Sequence, residues 1–431
     1  MLTEILIKDF KSYKQQTLHL SPLTLMIGAN ASGKSNALEA FRFLSWLAQG
    51  QKLSVLKHRV DDSEEILRGQ VKDLGHLGAN AFKLGCTIDD SHWNHFEVEI
   101  TLREQELHIS QETLTSTKET SPLYRIEQAS SGLGTDVRVS YNNFARGGRK
   151  PQVNCTDQIA IMNQLASSAM FDSGHKKAQK EIPTTTTLFQ KLLSNTLFLD
   201  PVPSLMRGDS YPEKRLRGDC SNLSGVLFTL WKNEQVKPAI VDFIKSLPEQ
   251  DVKDITFFED RKGQVSLELL ETFGNQDRKC SVELLSDGTL RVLAIAAALL
   301  SIPEGSTLVI EEVDNGVHPS RARQLLNTMR EQAKKRNIRL LMSTHNPALM
   351  DALPDSALGD VVFCYRNKDS GDSQLTRLSD LSDFPGLVSQ GPLGELVTKG
   401  IVDRFVKSPV TPEQKKQNAI DWLAKMQGGN Q

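Results

Sequence analysis

The chain has 431 residues, and its 51 Lys and Arg against 53 Asp and Glu give a formal net charge of −2 at pH 7. A chain of this length can bury one large hydrophobic core or two moderate ones, and such a charge balance excludes a basic protein that coats DNA. The longest apolar run, 293–300, is too short to span a bilayer, and residues 1–8 lack the layout of a signal peptide. We therefore expect a cytoplasmic protein that makes no membrane contact.

The N-terminal segment predicts three strands followed by a helix. Residues 2–20 are predicted to form two strands around the turn 12–14, and 23–27 is an apolar run suited to a buried strand. Apolar residues then recur at helical spacing over 37–48. Strand and helix enclose one segment that matches the phosphate-loop pattern G-x-x-x-x-G-K-[ST], namely Gly28-Ala29-Asn30-Ala31-Ser32-Gly33-Lys34-Ser35.

This loop predicts a binding site for a nucleoside triphosphate. Glycine at positions 28 and 33 lets the backbone curl so that successive N–H groups face the β-phosphate, and the helix N-terminus adds partial positive charge. Lys34 is expected to reach the β- and γ-phosphate oxygens, and Ser35 to offer its hydroxyl to Mg²⁺. By itself the loop identifies a class of ligand and leaves the function open.

The following segment predicts an antiparallel sheet and then an insertion. Apolar residues alternate over 82–88 and again over 96–102, which predicts two strands with one solvated face. From 113 to 200 the composition turns polar and rich in Ser and Thr, with a loop predicted at 146–150 and a helix at 157–171. The basic residues of this segment could contact DNA or RNA phosphates, or they could simply form a solvent-exposed charged surface. They are Arg146, Arg149, Lys150, His175, Lys176, Lys177 and Lys180.

The C-terminal half returns to alternating helices and strands, and polar residues with possible roles at a nucleotide site lie at the ends of some of these elements. Leu285-Ser286-Asp287-Gly288-Thr289 precedes a predicted helix at 290–300, where it can be a plain turn and N-cap or a donor site for a γ-phosphate. Residues 321–335 predict a helix, and 338–343 and 361–365 predict strands. His345 follows the first of these strands, either as a structural residue or at the carboxyl edge of a parallel sheet, where nucleotide sites lie.

The apolar strand 307–310 ends in two carboxylates. In isolation, a pair of glutamates at a strand end is most often simply exposed to solvent at the edge of the sheet. Beside a phosphate loop this is the layout of a Walker B element, in which Glu311 holds the Mg²⁺ shell and Glu312 accepts a proton from the water that attacks the γ-phosphate.

Together these elements resemble the ABC-type ATPases of the RecF, SMC and OLD-like branch. The resemblance lies in the order of the phosphate loop, Leu285–Thr289, Ile310–Glu312 followed by Asp314-Asn315-Gly316-Val317-His318-Pro319, and Ser343-Thr344-His345-Asn346-Pro347. Phe10-Lys11-Ser12-Tyr13 and Asn30 are also typical of that branch. Within it, the chain is most similar in kind to compact bacterial ATPases that work beside a separate effector in phage defence.

The resemblance implies an α/β fold: an ABC-ATPase head with a mixed sheet behind the phosphate loop, an antiparallel β subdomain and a partly helical insertion. It implies ATP and Mg²⁺ as cofactors, Ser35 and Glu311 as metal ligands, Glu312 as the catalytic base and His345 as the sensor of the γ-phosphate. It also implies nucleotide contacts from Lys11, Gly28, Asn30, Ala31, Ser32, Gly33, Lys34, Ser35, Asn36, Ser286 and Gly288.

By the same resemblance, Ser286 and Gly288 act in trans on ATP held by a second copy, so that two ATP molecules join two heads. The segment 314–318 is then expected to cross the interface between the two heads. Two features depart from the family pattern. Glu311 stands where aspartate is usual, which is expected to slow hydrolysis, and Gln70 is only a weak candidate for the Q-loop glutamine.

We divide the chain into an N-terminal lobe with the phosphate loop at 1–113, an insertion or lid at 114–200, a C-terminal lobe at 201–378 and a tail at 379–431 with a helix at 411–426. The room after His345 is too small for a TOPRIM nuclease domain, and Asp380 and Asp383 are interpreted as exposed turn residues. Sustained heptads are missing from the insertion, which argues against long coiled-coil arms.

The leading functional hypothesis is an ATPase that forms a homodimer through ATP and controls a separately encoded nuclease or toxin in antiphage defence. A higher oligomer and contact with DNA or RNA remain open. The alternatives are a RecF-like, ATP-dependent DNA clamp in repair and a nucleotide-dependent scaffold with negligible turnover.

Overall fold

The computed structural model describes residues 1–57, 66–89, 91–132, 134–245, 251–273, 276–314 and 319–407. The strands are β1 (Leu2–Phe10), β2 (Tyr13–His19), β3 (Leu23–Ile27), β4 (Ala81–Ile88), β5 (His95–Arg103), β6 (Glu106–Thr115), β7 (Tyr124–Gln128), β8 (Asp136–Tyr141), β9 (Gln152–Thr156), β10 (Leu197–Leu199), β11 (Asp251–Glu259), β12 (Val265–Phe273), β13 (Gln276–Ser281), β14 (Thr307–Ile310), β15 (Arg339–Ser343), β16 (Val362–Arg366) and β17 (Ser373–Arg377).

Helices connect and cover these strands. They are α1 (Lys34–Ala48), α2 (Ile161–Gln164), α3 (Lys176–Ser194), α4 (Pro203–Met206), α5 (Leu223–Trp231), α6 (Lys237–Ile244), α7 (Asp287–Ser301), α8 (Pro319–Lys335), α9 (Pro347–Asp351), α10 (Asp355–Leu358), α11 (Phe384–Val388), α12 (Leu393–Thr398) and α13 (Ile401–Lys407). Among the residues described, none of these helices has the length and apolar character that crossing a membrane requires.

The strands form three sheets of different character. The order β2-β1-β4-β5-β6-β7-β8-β9 makes an antiparallel sheet of eight strands, and β11-β12-β13 makes a smaller one of three. The third sheet, in the order β10-β14-β15-β3-β16-β17, is parallel except for its last strand. This mixed sheet with an antiparallel β subdomain confirms the predicted α/β fold.

The parallel sheet lies between two hydrophobic cores, which explains why its strands are apolar at every position. All five residues of β3 are buried. Leu25 and Ile27 contact the core that contains α7, whereas Met26 contacts the core that contains α1. Because successive side chains point to opposite faces of a strand, a sheet covered on both faces needs a continuous apolar run rather than an alternating one.

The structure changes the interpretation of 114–200. Strands β7, β8 and β9 extend the antiparallel sheet that begins in the N-terminal lobe, and α3 packs against α1. The Ser45 hydroxyl donates to the carbonyl oxygen of Leu193 at 2.8 Å across this contact. The polar composition reflects strands with one solvated face, so this segment is continuous with the N-terminal lobe.

The helix predicted at 157–171 is wrong. Asp157 is buried, and its carboxylate accepts from Arg103 at 2.9 Å and pairs with His108 at 2.8 Å, which holds this turn out of helical conformation. Only the short α2 forms there, followed by a 3-10 turn at 168–170. The long helix of the segment is α3, which the sequence analysis missed because Pro183 and a run of threonines weaken helical propensity.

The end of the chain also differs from expectation. The acidic stretch at 369–372 leads into β17, which pairs antiparallel with β16, and three short helices cover 384–407. Asp380 ends a 3-10 turn and Asp383 precedes α11, as expected of turn residues. The helix predicted at 411–426 lies outside the described residues.

One buried carboxylate connects the antiparallel sheet to α2. The side chain of Glu112 accepts hydrogen bonds from the Tyr124 hydroxyl at 2.8 Å and from the backbone N–H groups of Ile161 and Met162 at 2.7 Å each. Burial raises the pKa of this carboxyl to about 7, although all three donors favour its charged form. Ionisation of Glu112 in the folded protein therefore costs more free energy than in the unfolded chain.

This difference predicts a pH dependence of stability. The unfolded carboxyl ionises near its usual pKa of 4.5 and the folded one near 7, so the contribution of Glu112 is present below pH 4.5 and lost as pH rises through 7. The loss amounts to about 3 kcal/mol. Urea denaturation of the wild type and of Glu112→Gln, which does not titrate, should reveal this loss as the difference between their pH profiles.

The matched control for this measurement is Glu119→Gln, because Glu119 is half exposed and pairs with His92 on the surface. It should keep the wild-type pH profile. Parallel profiles for the wild type and Glu112→Gln would contradict the prediction.

Candidate functional site

The parallel sheet brings three predicted motifs to one edge. Strand β15 lies between β14 and β3, with Met342 paired to Ile310 on one side and to Leu25 on the other. At its carboxyl end, β14 leads into Glu311, β15 leads toward His345, and β3 leads into the phosphate loop. Ligands of open α/β sheets bind at this edge, so chain topology alone assembles the site.

Close backbone contacts shape the phosphate loop. Gly28 has φ 145° and Gly33 has φ 117°, which an L side chain rarely adopts. A Cβ added to Gly28 would lie 2.1 Å from the carbonyl oxygen of Cys364, and one on Gly33 would lie 2.3 Å from the Ser373 hydroxyl. Both glycines are therefore required by the curl of the loop and by the strands behind it.

Side chains distant in sequence hold the loop from behind. The Tyr13 hydroxyl donates to the carbonyl oxygen of Gly33 at 3.0 Å, the Cys364 thiol to that of Ser32 at 3.3 Å, and Arg366 Nε to that of Ala31 at 3.1 Å. Burial raises the pKa of both the Tyr13 hydroxyl and the Cys364 thiol, which keeps them protonated as donors. Because these three carbonyl oxygens accept hydrogen bonds from the strands behind the loop, the backbone N–H groups of the loop are available to bind an anion.

Of these supporting residues, the sequence analysis noted only Tyr13, as part of Phe10–Tyr13. Cys364 and Arg366 lie on β16, the neighbour of β3 on the side away from β15. A strand of ordinary apolar composition carries no sequence signal for this role, so only the tertiary pairing reveals it.

Lys34 and Ser35 lie at the first turn of α1. The Lys34 ammonium donates to the carbonyl oxygens of Gly28 at 2.7 Å and Ala29 at 3.1 Å, so it folds back over the loop. Partial burial lowers the pKa of Lys34, while the nearby carboxylates of Glu311 and Glu312 act in the opposite direction. The ammonium is thus positioned over the place where the loop would hold phosphate oxygens.

Ser35 and Glu311 meet directly. The Ser35 hydroxyl donates to Oε1 of Glu311, although the two residues are 276 positions apart in the sequence. A hydroxyl and a carboxylate side by side are hard oxygen donors of the kind that Mg²⁺ prefers. The pair therefore fits the predicted metal position, and the longer glutamate side chain in place of aspartate still reaches the serine.

Glu312 follows in a strained conformation. Its φ of 51° is in the left-handed region, and its backbone N–H donates to the Ser343 hydroxyl at 3.0 Å. Its Oε1 lies 3.9 Å from Nδ1 of His345, and both side chains are about half exposed. The turn thus directs Glu311 toward Ser35, while Glu312 and His345 face the solvent beside the loop.

Further contacts connect these turns. The Thr344 hydroxyl donates to Oδ1 of Asp314, which joins the end of β15 to the segment after β14. Of the segment 314–318, which is predicted to cross the interface between two heads, the structure describes only Asp314, because 315–318 lie outside the described residues.

Ser286 and Gly288 lie at the start of α7. The Ser286 hydroxyl accepts from the Thr289 N–H at 3.1 Å and so caps the helix. Ser286 is exposed and Gly288 half-buried. Among the hydrogen bonds given for the described residues, neither makes one to the phosphate loop of its own chain.

The remaining predicted residues surround the loop. Asn30 and Ala31 are exposed at its top, and Ser32 is buried. Asn36 donates to the Ser12 hydroxyl at 2.8 Å. Lys11 pairs with Glu39 and donates to the carbonyl oxygen of Arg68 at 2.8 Å, so its charge is already engaged.

Gln70, the weak Q-loop candidate, is exposed and caps the 3-10 turn at 71–73. Its described hydrogen bonds are made with Asp73, which gives no support to contact with the metal position.

Two cavities flank the loop and α1. One of about 600 Å³ is lined by residues of the β1–β2 turn, α1, the turn at 75–78 and the β16–β17 turn, among them Lys11, Asn36, His76 and Asp372. His76 Nε2 lies 3.0 Å from Asp372, and its Nδ1 lies 2.8 Å from the carbonyl oxygen of Lys11, which joins two walls of this cavity. The other, of about 930 Å³, extends from Ser35 and Glu311 along α1 to Trp46.

Two stretches of the chain match models of known domain families. Residues 1–119 match the model of an AAA ATPase domain, and residues 229–351 match an AAA domain family whose description names the AbiEii toxin and a Type IV TA system. The first range contains the phosphate loop, and the second contains the segments around Ser286, Glu312 and His345. Both matched models describe AAA domains, which agrees with the resemblance to ABC-type ATPases of the RecF/SMC branch.

Two curated proteins are similar to parts or most of the chain. The chain is 22% identical over 381 residues to an "ATP/GTP phosphatase" of Helicobacter pylori, and the alignment covers 85% of this chain and 91% of the relative. It is 37% identical over 89 residues to the "DNA replication and repair protein RecF" of Gloeobacter violaceus, which covers only 20% and 21% of the two chains. The name of the first relative describes an NTP-hydrolysing activity of that protein.

Solved structures similar to this chain include SMC heads. A SmcHead bound to the C-winged helix domain of ScpA has a TM-score of 0.47 at 14% identity and covers 87% of this chain and 96% of that one. An SMC head domain from Thermotoga maritima has a TM-score of 0.39 at 13% identity, covering 87% and 98%.

The contact behind Gly28 yields a prediction for ATP binding. Alanine at this position would bring its Cβ against the backbone carbonyl of Cys364, which cannot move without shifting β16. We expect Gly28→Ala to weaken ATP binding at least tenfold, measured by titration with a fluorescent ATP analogue. Gly147→Ala is the matched control, because Gly147 also has positive φ but open space around it. Equal ATP affinity in both variants would show that the contact does not matter.

Proposed function

We propose that this ATPase is a regulatory subunit that binds and hydrolyses ATP with Mg²⁺, dimerises through ATP and controls a separately encoded effector in bacterial antiphage defence. The observation that carries the proposal is that the predicted nucleotide-contacting residues lie on separate elements of the chain. Ser35, Glu311, Glu312 and His345 lie together at the sheet edge, whereas Ser286 is exposed at the start of α7.

The sheet edge supports ATP hydrolysis as follows. The backbone N–H groups of the phosphate loop and the Lys34 ammonium bind the β- and γ-phosphates, and the cavity at Lys11 and Asn36 takes the nucleoside. Ser35 and Glu311 would hold Mg²⁺, which would neutralise phosphate charge. Glu312 orients the attacking water and accepts its proton, and His345, 3.9 Å from Glu312, donates to a γ-phosphate oxygen.

The exposed start of α7 supports dimerisation. Its helix N-terminus offers N–H groups and partial positive charge, which suit the γ-phosphate of a nucleotide bound to another copy. In a twofold dimer the two phosphate loops and the two α7 termini would form two equivalent composite sites. ATP then stabilises the dimer while it remains uncleaved, and hydrolysis releases it.

The effector part of the proposal is supported by the match of residues 229–351 to a family described by a toxin and a toxin–antitoxin system. Controlling an effector needs a conformational difference that a partner can detect. Opening and closing of a two-headed dimer supplies such a difference, with the nucleotide as the signal.

A RecF-like DNA clamp is the second candidate, and one observation favours it. The structure brings the basic residues of 146–150 close to those of 175–180. Lys177 lies 4.2 Å from the ring centre of Phe144, and His175 hydrogen-bonds to Tyr141 at 2.8 Å. The loop after β8 and the start of α3 therefore form one basic surface, with Arg146, Arg149, Lys176 and Lys180 exposed.

The role of Glu312 yields the central prediction. Glu312→Gln removes the proton acceptor but keeps the side-chain shape, so ATP hydrolysis should fall by about 10²–10⁴-fold while ATP binding persists. ATP should then hold the variant as a dimer, detectable by sedimentation with Mg²⁺ and ATP. The matched control is Glu304→Gln, an exposed glutamate before the opposite end of β14, which should keep wild-type turnover. Unchanged turnover in Glu312→Gln would favour the scaffold alternative.

Purification from the native host separates the two candidate functions. An effector-controlling subunit should co-purify with a stoichiometric nuclease or toxin whose activity changes between ATP and ADP. A clamp should instead bind duplex DNA in an ATP-stimulated, steeply salt-dependent manner, and Arg146→Ala with Arg149→Ala should flatten that salt dependence. A protein with neither partner nor DNA binding would contradict both.

A further inference from the structure

A few large apolar side chains remain exposed in the described part of the protein. Their exposed fractions are 88% for Leu77, 65% for Leu284, 63% for Phe258, 53% for Tyr211, 48% for Leu205 and 38% for Leu188. Scattered exposure of this kind is ordinary, but clustering next to a functional site is informative. Leu77, Leu284 and Leu205 adjoin the two halves of the nucleotide machinery.

Leu77 stands at the rim of the cavity that adjoins the phosphate loop. It lines that cavity together with Lys11, Asn36 and Arg366. Its φ of 49° and ψ of 33° are left-handed, which is strained for a leucine. A strained backbone that directs an apolar side chain into water persists when the exposed side chain has a use.

Leu284 and Leu205 adjoin Ser286. Leu284 is two residues before the serine, in the 3-10 turn that leads into α7. Leu205 belongs to α4, which packs against α7, and two residues later Arg207 donates to the carbonyl oxygen of Leu285 at 3.1 Å and to Asp287 at 2.6 Å. These contacts place the segment that carries Leu205 beside the start of α7, which Leu284 and Ser286 precede in the chain.

We infer that Leu77 on one face and Leu205 and Leu284 on the other become buried against a second copy of this chain when ATP joins two heads. The inference rests on the proposed dimerisation. A twofold dimer that places Ser286 of each copy on the nucleotide of the other must bring the surroundings of α7 against the rim of the phosphate-loop cavity. Both surroundings expose leucine there, so their contact removes apolar surface from water around the charged nucleotide.

This arrangement assigns separate tasks to the parts of the interface. The nucleotide, with its charge and its donors, decides when the heads meet. The leucines contribute area that excludes water from the triphosphate and strengthens the closed state, without contacting the phosphates themselves. Removing them should therefore weaken the dimer more than it weakens ATP binding by the single head.

The test uses the full-length protein with Mg²⁺ and a non-hydrolysable ATP analogue. Leu284→Asp and Leu205→Asp should each raise the dimer dissociation constant at least tenfold by sedimentation, with analogue affinity of the dilute monomer unchanged within twofold. Leu77→Asp should weaken the dimer similarly, and its analogue affinity is measured separately because Leu77 lines the cavity. Leu188→Asp is the control, since Leu188 is an exposed leucine on α3.

The outcomes separate this inference from the proposal beneath it. A wild-type protein that stays monomeric with the analogue overturns the proposed dimerisation and this inference with it. A wild-type dimer that Leu284→Asp and Leu205→Asp weaken no more than Leu188→Asp does overturns only the role of the leucines. If the aspartate variants keep the dimer but lose a co-purified effector, the leucines face that effector, and the second copy is the wrong occupant.

Discussion

The hydrogen bond between Ser35 and Glu311 depends on the parallel pairing of β14, β15 and β3, and the rest of the site depends on that pairing too. Three strands from distant parts of the chain must run in the same direction and in register for their carboxyl ends to coincide. Burial on both faces enforces this arrangement, because a slip of one residue would exchange the side chains that face the two cores. Packing energy therefore sets the distances on which the chemistry relies.

The phosphate loop is positioned from the opposite side by β16. Its carbonyls accept from Tyr13, Cys364 and Arg366, and its glycines leave space for the backbone and hydroxyl groups of the neighbouring strands. Preorganisation of this kind means that little reorganisation is needed when an anion arrives. The loop is thus shaped by the fold as much as by its own residues.

Within one copy the machinery is divided. The acid–base and metal positions converge at the sheet edge, while Ser286 is exposed on α7, a helix whose other side is central to the hydrophobic core. Burial of the rest of α7 in that core holds Ser286 at the surface. This exposure, together with the resemblance to ABC-type ATPases, is why its nucleotide is proposed to be bound by a second copy.

The sequence alone predicted the ligand class and the family resemblance, and it determined the positions of β3 and α1 and the alternating strands β4 and β5. These follow from local patterns: a loop motif with fixed glycines, and burial that repeats with the period of the element. Tertiary structure decided what depends on distant residues. It showed that 114–200 continues the antiparallel sheet, because pairing across strands is not written in any short segment. It replaced the helix predicted at 157–171 with a turn held by buried Asp157, because a buried charge takes its partners from other strands. It also identified Cys364 and Arg366 behind the phosphate loop, since the residues that support a site need only be near it in space.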